Sequence, residues 1–303
     1  MGTGLVAGMD IGGTKTQVMV SRDGVVMADE TLPTAEWRTW RVADDARGLA
    51  AVVRRIAGGM PDSLAVGAHG CDSDEQCQAL QDALQDELGI PVLVVNDSEL
   101  LVPAAGYVDG IGVVSGTGSI AVARSPEGRM LAAGGWGWIL GDEGSAAALV
   151  REAAKAVRGA IDRGETGDPL IAGMLAALNT HEVTKLGRLL NEVRGAAEWG
   201  RHAGVVFTAA DNGSPLARGV IEEGGEALAQ LVGTLLKRGA PADVVVCAGG
   251  VITTQPMLLE AFTRAMNKVS ASTSIVLLDE PPVVGAVALA YRLVDAGHMQ
   301  QAV

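Results

Sequence analysis

Four small residues recur at one spacing: Gly8, Gly12, Ser21 and Gly24 are echoed 104 positions on by Gly112, Gly116, Ser125 and Gly128. Each copy reads as an apolar strand, a Gly/Thr-rich turn, a second strand, a short turn ("SRDG" or "SPEG") and a third strand. Strand runs bounded by Gly-rich turns signal hairpins, and a fixed offset with matching turn chemistry is the mark of an internal duplication. A chain that repeats a three-stranded meander, with other elements between the copies, is constrained to build two related sheets.

Between the copies, "DDARGLAAVVRRIAGGM" has helical spacing, "SLAVGAHG" is a short strand, and "DEQCQALQDALQDELG" is an amphipathic helix stopped at Gly89. "IPVLVVND" is a continuous apolar run, as expected of a parallel strand covered on both faces. After the second copy, a helix is predicted in "DEGSAAALVREAAKAVRGAID". Two helical segments follow, "HEVTKLGRLLNEVRGAAEWGRHAG" and "SPLARGVIEEGGEALAQLVGTLLKRG". A buried strand ending in glycines ("ADVVVCAGGVI"), a helix ("MLLEAFTRAMNKV"), a strand ("TSIVLLDE") and an apolar helix ("PVVGAVALAYRLVDAG") complete the order. At 303 residues the chain is longer than a single core usually serves. The expectation is an α/β protein of two related domains with a cleft between them. The first spans 1–105 and the second 106–282 with a helical insertion. The helix at about 283–303 either packs back on the first domain or lies between the lobes.

Composition narrows the function classes. Hydrophobic residues make up 48% and charged residues 19%, as in a globular protein, and the net charge of −13 sets the chain against nucleic acid and anionic membrane surfaces. No segment approaches about 18 uncharged apolar residues, and the start lacks the pattern of a signal peptide, so a cytoplasmic location is expected. The three cysteines, Cys71, Cys77 and Cys247, form no CxxC pair and read as reduced structural thiols.

The glycine turns carry the first chemistry. A polyphosphate needs backbone N–H groups pointed at it and no side chains in the way, which glycine allows, while threonine hydroxyls add donors. "DIGGTKT" supplies Gly12, Gly13, Thr14 and Lys15 after the first strand, and "SGTGS" supplies Gly116, Thr117, Gly118 and Ser119 at the equivalent turn of the second copy. Neither is a P-loop or a Rossmann fingerprint, because strand-turn-strand replaces strand-turn-helix. Asp10, at the end of its apolar strand, would be repelled by phosphate unless a cation intervenes; Mg²⁺ reached through water is the expectation. A third glycine pair, Gly249 and Gly250 in "CAGGVI", leaves a flat surface for an adenine or ribose.

Two acids are candidates for the acceptor side. Asp97 closes "PVLVVND" at the carboxyl end of a parallel strand, where open α/β sheets place their ligand chemistry. A carboxylate there orients a hydroxyl and accepts its proton as the oxygen attacks a γ-phosphate. The same residue suits helix capping, with Asn96 and Ser98 as equally good caps, and local sequence leaves both roles open. "GGWGWILGDEGS" places two tryptophans among four glycines ahead of Asp142 and Glu143. That lets the backbone approach a ligand while Asp142 accepts hydrogen bonds from adjacent hydroxyls.

The motif order "GMDIGGTKTQV", "VVNDSELL", "GVVSGTGSIAVAR", "VVVCAGGVI" resembles the phosphate, catalytic, second phosphate and adenosine motifs of the actin, sugar kinase and heat-shock ATPase fold. More narrowly, "GGWGWILGDEGSAAALVREAAKAV" is similar to the N-acetylglucosamine kinase branch of the BadF/BadG family. The zinc motif and Glu-x-Gly-His signature of the repressor/kinase (ROK) glucokinases are absent. The resemblance implies two ribonuclease H-like domains and ATP- and Mg²⁺-dependent phosphorylation of an amino sugar, N-acetylglucosamine or glucosamine, at its 6-hydroxyl. It implies Asp97 as the catalytic acid and Asp142 as a sugar ligand. His69, Gly70, Asn96, Gly116 and Trp138 join the sugar side. Gly12, Gly13, Thr14, Lys15, Thr117, Gly118 and Ser119 fall on the phosphate loops, Gly249 and Gly250 on the nucleoside site, and Asn212 of "DNGSPLA" near the adenine. A homodimer is expected. The alternatives are a kinase for another hexose or a muramic-type sugar, or an iron–sulfur ATPase that activates a dehydratase. One departure stands out: the family's small neutral sugar loop reads "GAHGCDSDEQC" here, and His69 with Asp72 suggests a preference for a free 2-amino group over an acetamide.

Overall fold

The computed structural model describes residues 3–301, so residues 1–2 and 302–303 of the expected outer spans lie outside it. In chain order the first meander is β1 (Leu5–Ile11), β2 (Lys15–Arg22) and β3 (Val25–Pro33), followed by α1 (Val42–Ala57), β4 (Ser63–Ala68), α2 (Asp74–Leu88), β5 (Val92–Val95) and α3 (Leu101–Ala104). The second meander is β6 (Ile111–Ser115), β7 (Ser119–Arg124) and β8 (Met130–Gly134). Five helices follow: α4 (Ala146–Asp162), α5 (Pro169–Ala177), α6 (Leu186–Glu192), α7 (Gly195–Gly200) and α8 (Ala203–Asp211). Then come α9 (Pro215–Lys237), β9 (Val244–Ala248), α10 (Pro256–Val269), β10 (Ser274–Leu277) and α11 (Pro282–Gln301). These elements form two compact units. The first holds the chain up to Gly112, Glu127–Met130 and the chain from Leu278 on; the second holds Val113–Pro126 and Leu131–Leu277.

The sheet of the first unit is ordered β3-β2-β1-β4-β5, with β1 antiparallel to β2 and parallel to β4, and β4 parallel to β5. One face is covered by α1 and α2, where Leu49, Val53 and Leu84 pack on Leu64 and Val66. On the other face α11 sets Val283, Val287 and Ala290 against Val6 and Ala65. That close seat explains a repeat glycine: a Cβ on Gly8 would stand 2.5 Å from the backbone nitrogen of Val287. The apolar runs of β4 and β5 are continuous because both faces are covered. Helix ends follow local chemistry. Ser73 caps α2, and Gly58 and Gly89 close α1 and α2 in the left-handed conformation that favours glycine.

In the second unit the order is β10-β9-β6-β7-β8, with β9 and β10 parallel. Helices α9 and α10 pack closely through Gly225, where a Cβ would lie 2.6 Å from that of Ala261. The helical insertion is more broken than its spacing suggested. The expected helix over 181–204 splits at Val193, which is extended, and at Gly195, with φ of 79°. Helices α5 and α8 were not anticipated, although Asp168 before Pro169 is a helix start signal of the kind that Ser214 before Pro215 makes for α9. The helix α4 begins at Ala146 with Ser145 as its cap, leaving Asp142–Gly144 in the loop ahead of it.

Candidate active site

The first glycine loop is a tight hairpin between β1 and β2. Gly12 N–H donates to the Lys15 carbonyl at 2.9 Å, and Thr34 N–H to that of Thr14 at 3.0 Å. A buried chain locks it from behind: Trp37 Nε1 donates to Thr16 Oγ1 (3.0 Å), which shares a 2.9 Å hydrogen bond with Thr34 Oγ1, and Thr34 Oγ1 reaches the Gly12 carbonyl at 2.9 Å. The amides of Gly13 and Thr14 are left without an intramolecular acceptor in an exposed turn, and Lys15 is exposed beside them. Two free amides with a lysine are donors of the kind that an anion-binding turn uses.

The acids gather at the carboxyl ends of the neighbouring strands. Asp10 is paired in register with Gly67 of β4 and Gln17 of β2. Burial, with the Asp97 carboxylate as the lesser cause, pushes its carboxyl up to about 6. After β5 the cap is supplied by Asn96: its Oδ1 accepts from Ser98 N–H (3.0 Å), while Glu99 Oε1 accepts from Asn96 N–H (3.0 Å), a capping box. Asn96 Nδ2 donates to the Cys71 carbonyl (3.0 Å) and to Asp72 Oδ1 (3.2 Å), so this buried side chain holds two loops together. Asp97 is therefore not the N-cap, although it shares the Ser98 N–H. Its Oδ1 accepts from Ser98 N–H (3.0 Å) and its Oδ2 stands 3.6 Å from His69 Nδ1.

His69 also lies beside the phosphate loop, with its Cδ2 3.6 Å from where a Cβ on Gly13 would be. The Asp97 carboxylate holds the imidazole above its ordinary range, against the opposing pull of burial. A raised histidine stabilises the fold most below its unfolded value near 6.5, and that contribution disappears as pH rises through the folded value. We expect an NMR titration to find His69 above about 6.5 in the wild type and lower in Asp97→Asn; an identical value in both would break the pairing. Gly70, with φ of 85°, turns the loop so closely past Arg38 that a Cβ would meet Nη2 at 3.2 Å. His69 thus faces the Asp97 carboxylate, while the other side of the loop belongs to a guanidinium. Asp72 accepts from Asn96, and its charge adds to that of Asp97 in holding the His69 imidazole up.

In the second unit, Gly116 N–H donates to the Gly118 carbonyl at 3.0 Å, and the amides of Thr117 and Gly118 have no intramolecular acceptor. The hydroxyls of Ser115 and Ser119 donate to the carbonyls of Gly144 and Glu143, both at 2.8 Å, so Ser119 anchors the loop rather than lining its outer face. Asp142 lies beneath: buried, at a φ of 57° unusual for a non-glycine residue, it accepts the N–H groups of Ser119 and Gly137. Burial outweighs those bonds and raises its carboxyl. Trp138 packs on Trp199 with ring centroids 5.0 Å apart, and its carbonyl accepts from Arg151, which also holds the Gly141 carbonyl at 2.9 Å. Gly249, far off in sequence, reaches the same loop. Its φ is 101°, and a Cβ there would overlap the Ser115 carbonyl, so only glycine fits. Gly250 faces open space. The structure thus brings together Gly116–Ser119, Asp142 and Gly249–Gly250. Asn212 ends α8, with its N–H on the Thr208 carbonyl at 3.1 Å.

Sequence reasoning overlooked Arg38, Trp40 and Arg151. The run "EWRTW" was the available signal for the first two.

The profile of the BadF/BadG/BcrA/BcrD ATPase family matches residues 7–290. An N-acetylmuramic acid/N-acetylglucosamine kinase of Clostridium acetobutylicum is 29% identical over 94% of this chain and 97% of its own length. An N-acetyl-D-glucosamine kinase of Dictyostelium discoideum is 23% identical, with 93% and 96% covered. Among solved structures, a provisionally assigned N-acetylglucosamine kinase from Chromobacterium violaceum superposes with a TM-score of 0.68 at 24% identity, covering 95% of this chain and 99% of that one. A ROK glucokinase from Streptomyces griseus, with glucose and AMPPNP, superposes at 0.57 and 19% identity, covering 95% and 99%. Both show the same two-domain α/β fold.

Proposed function

The chain belongs to the BadF/BadG/BcrA/BcrD ATPase family, and from that premise we propose that it is an ATP-dependent kinase transferring the γ-phosphoryl group to the 6-hydroxyl of an amino sugar. Two curated relatives aligned over almost their whole length are kinases of such sugars. The observation that carries the reading is the carboxylate of Asp97, at the end of a parallel strand and 3.6 Å from His69, with Asn96 as the N-cap.

In this reading the free amides of Gly13 and Thr14, with Lys15, bind phosphate oxygens; within the second unit the amides of Thr117 and Gly118 are donors of the same kind. Gly249 and Gly250 leave room for the nucleoside, with Asn212 nearer its rim. Asp97 orients the sugar hydroxyl and takes its proton as the oxygen attacks. The hydroxyl is far less acidic than the carboxylate, so transfer is late and positioning supplies much of the rate. Asp142 braces the second phosphate loop, and the backbone near Trp138 and Gly116 meets the sugar.

The donors fit Mg²⁺ held through water. Asp10 is a mostly buried carboxylate with no cationic partner, and no cluster of three or more metal-ligating side chains exists among the described residues to form an all-protein cage. When bound, the ion neutralises charge on the phosphates. Without a cation Asp10 opposes folding. Its folded value near 6 lies above the unfolded value of about 3.9, so stability falls as pH rises through that window and stays low above it. Asp10→Asn is therefore expected to raise unfolding free energy at pH 7 by about 2 kcal/mol in metal-free buffer while lowering kcat/KM about 100-fold or more. Denaturant melts with parallel kinetics check both arms, and a destabilised variant would contradict the assignment.

The iron–sulfur alternative is not favoured. Cys247 is buried in β9 with its thiol pushed up to about 12 by burial, and Cys71 and Cys77 are buried against each other's loop. A homodimer belongs to the proposed reading, and sedimentation velocity tests it. A coupled ADP-release assay over a panel of amino sugars and plain hexoses tests the whole; equal indifference to every sugar would end it.

A further inference from the structure

Which acceptor the kinase takes is written, in our view, at Arg38; the inference rests on the reading above. The Arg38 guanidinium lies over the ring of Trp40, 4.0 Å from its centroid, and 5.8 Å from that of Trp37. It has five N–H bonds in a planar fork, and the structure gives it one acceptor, the His69 carbonyl at 2.9 Å from Nη2. Its Nε is buried without any partner, a state that costs about 1–3 kcal/mol. Trp40 is unusual too: it holds φ of 65° and yet leaves 74% of its surface exposed. A left-handed non-glycine residue costs about 1–2 kcal/mol, and an exposed indole recovers little of that by burial.

Two uncompensated features therefore coincide, and they do so beside the loop whose His69 faces Asp97. The acids around them are already engaged. Asp72 accepts from Asn96, and Asp97 accepts from Ser98 and faces His69. Arg38 is the unmatched charge, held flat by Trp40 with a fork that fits a planar two-oxygen anion.

We propose that Arg38, presented on Trp40, is a subsite for a carboxylate carried by the acceptor, so that the preferred substrates are amino sugars bearing an acidic substituent. The phosphate tail of ATP offers related oxygens, and the experiment separates the two sources.

The test compares kcat/KM for N-acetylmuramic acid, whose lactyl ether carries a carboxylate, with that for N-acetylglucosamine, in the wild type, Arg38→Gln and Arg38→Lys, with KM for ATP measured in each. The expected result is a fall of about tenfold or more in the ratio of charged to neutral sugar in Arg38→Gln, carried by KM of the charged sugar, with Arg38→Lys intermediate. A ratio unchanged within about twofold, or a loss that appears in KM for ATP, overturns the subsite. Calorimetric titration of the wild type with both sugars at about 50 and about 500 mM NaCl needs neither a variant nor turnover. Affinity for the charged sugar should weaken several-fold with salt and that for the neutral one should not; failure to bind the charged sugar overturns the proposal. If neither sugar is phosphorylated, the kinase reading falls, and the titration still decides the subsite.

Discussion

Asp97→Asn is expected to lower kcat about 1000-fold while changing the Kd for ATP less than about threefold, because general-base and positioning contributions of this kind are worth about 10²–10⁴. Asparagine keeps the shape, and its Oδ1 still accepts the Ser98 N–H bond. What is lost is the charge that takes the proton and faces His69 at 3.6 Å. The substitution also removes the second cause of the raised Asp10 carboxyl, leaving burial alone, so Asp10 should titrate lower in the variant. His69 and Asp10 should thus both titrate lower in the variant, one a cation that loses its partner and the other a carboxylate that loses a like-charged neighbour, which separates a local charge effect from unfolding. Turnover near the wild-type rate would remove Asp97 from the mechanism.

Gly285→Ala is expected to destabilise the protein by about 3 kcal/mol or more, a melting shift of roughly 6–12 °C. A Cβ at 285 would overlap the carbonyl of Leu100 and lie 2.8 Å from the Ala104 nitrogen. Both are backbone atoms and cannot swing aside as a side chain would, so α11 must lift from the segment it covers. That segment begins three residues after Asp97, and Ala286 packs with Val95 and Leu100. Residual folded enzyme should consequently show a lower kcat, not only a lower yield. Calorimetric scans alongside kinetics check this; a melting point within about 2 °C of the wild type would show that the helix has slack.

How far these features were legible in the sequence depended on whether their causes were local. The duplicated hairpins were readable because each turn carries its own glycines and each strand its own apolar run. The strand orders were not read from the sequence, since they depend on which strands pair across crossovers. The cap after β5 was not readable, because Asn96, Asp97 and Ser98 were equal candidates until the Glu99 carboxylate completed a capping box with Asn96. The position of Asp142 under Ser119 was hidden likewise: the sequence showed a polar acid in a glycine-rich loop, and the structure shows it bonded to the phosphate turn. The contact of Gly249 with Ser115 joins residues far apart along the chain. Arg38 escaped notice for the same reason, since its one acceptor belongs to His69. The broken insertion is a different failure, one of weighting: helical spacing over 181–204 was read past a glycine that holds a positive φ.

The first unit is assembled from both ends of the polypeptide, with the whole second unit encoded between. During synthesis, therefore, β1, β4 and β5 emerge early but keep one face uncovered until α11 leaves the ribosome. At translation speeds of about 5–20 residues per second, that interval is on the order of 10 s. Throughout it Val6 and Ala65 have no helical cover, and the interrupting unit, whose own helices and strands are consecutive in the chain, is complete first. The order of elements thus makes the half bearing Asp97 the last to mature.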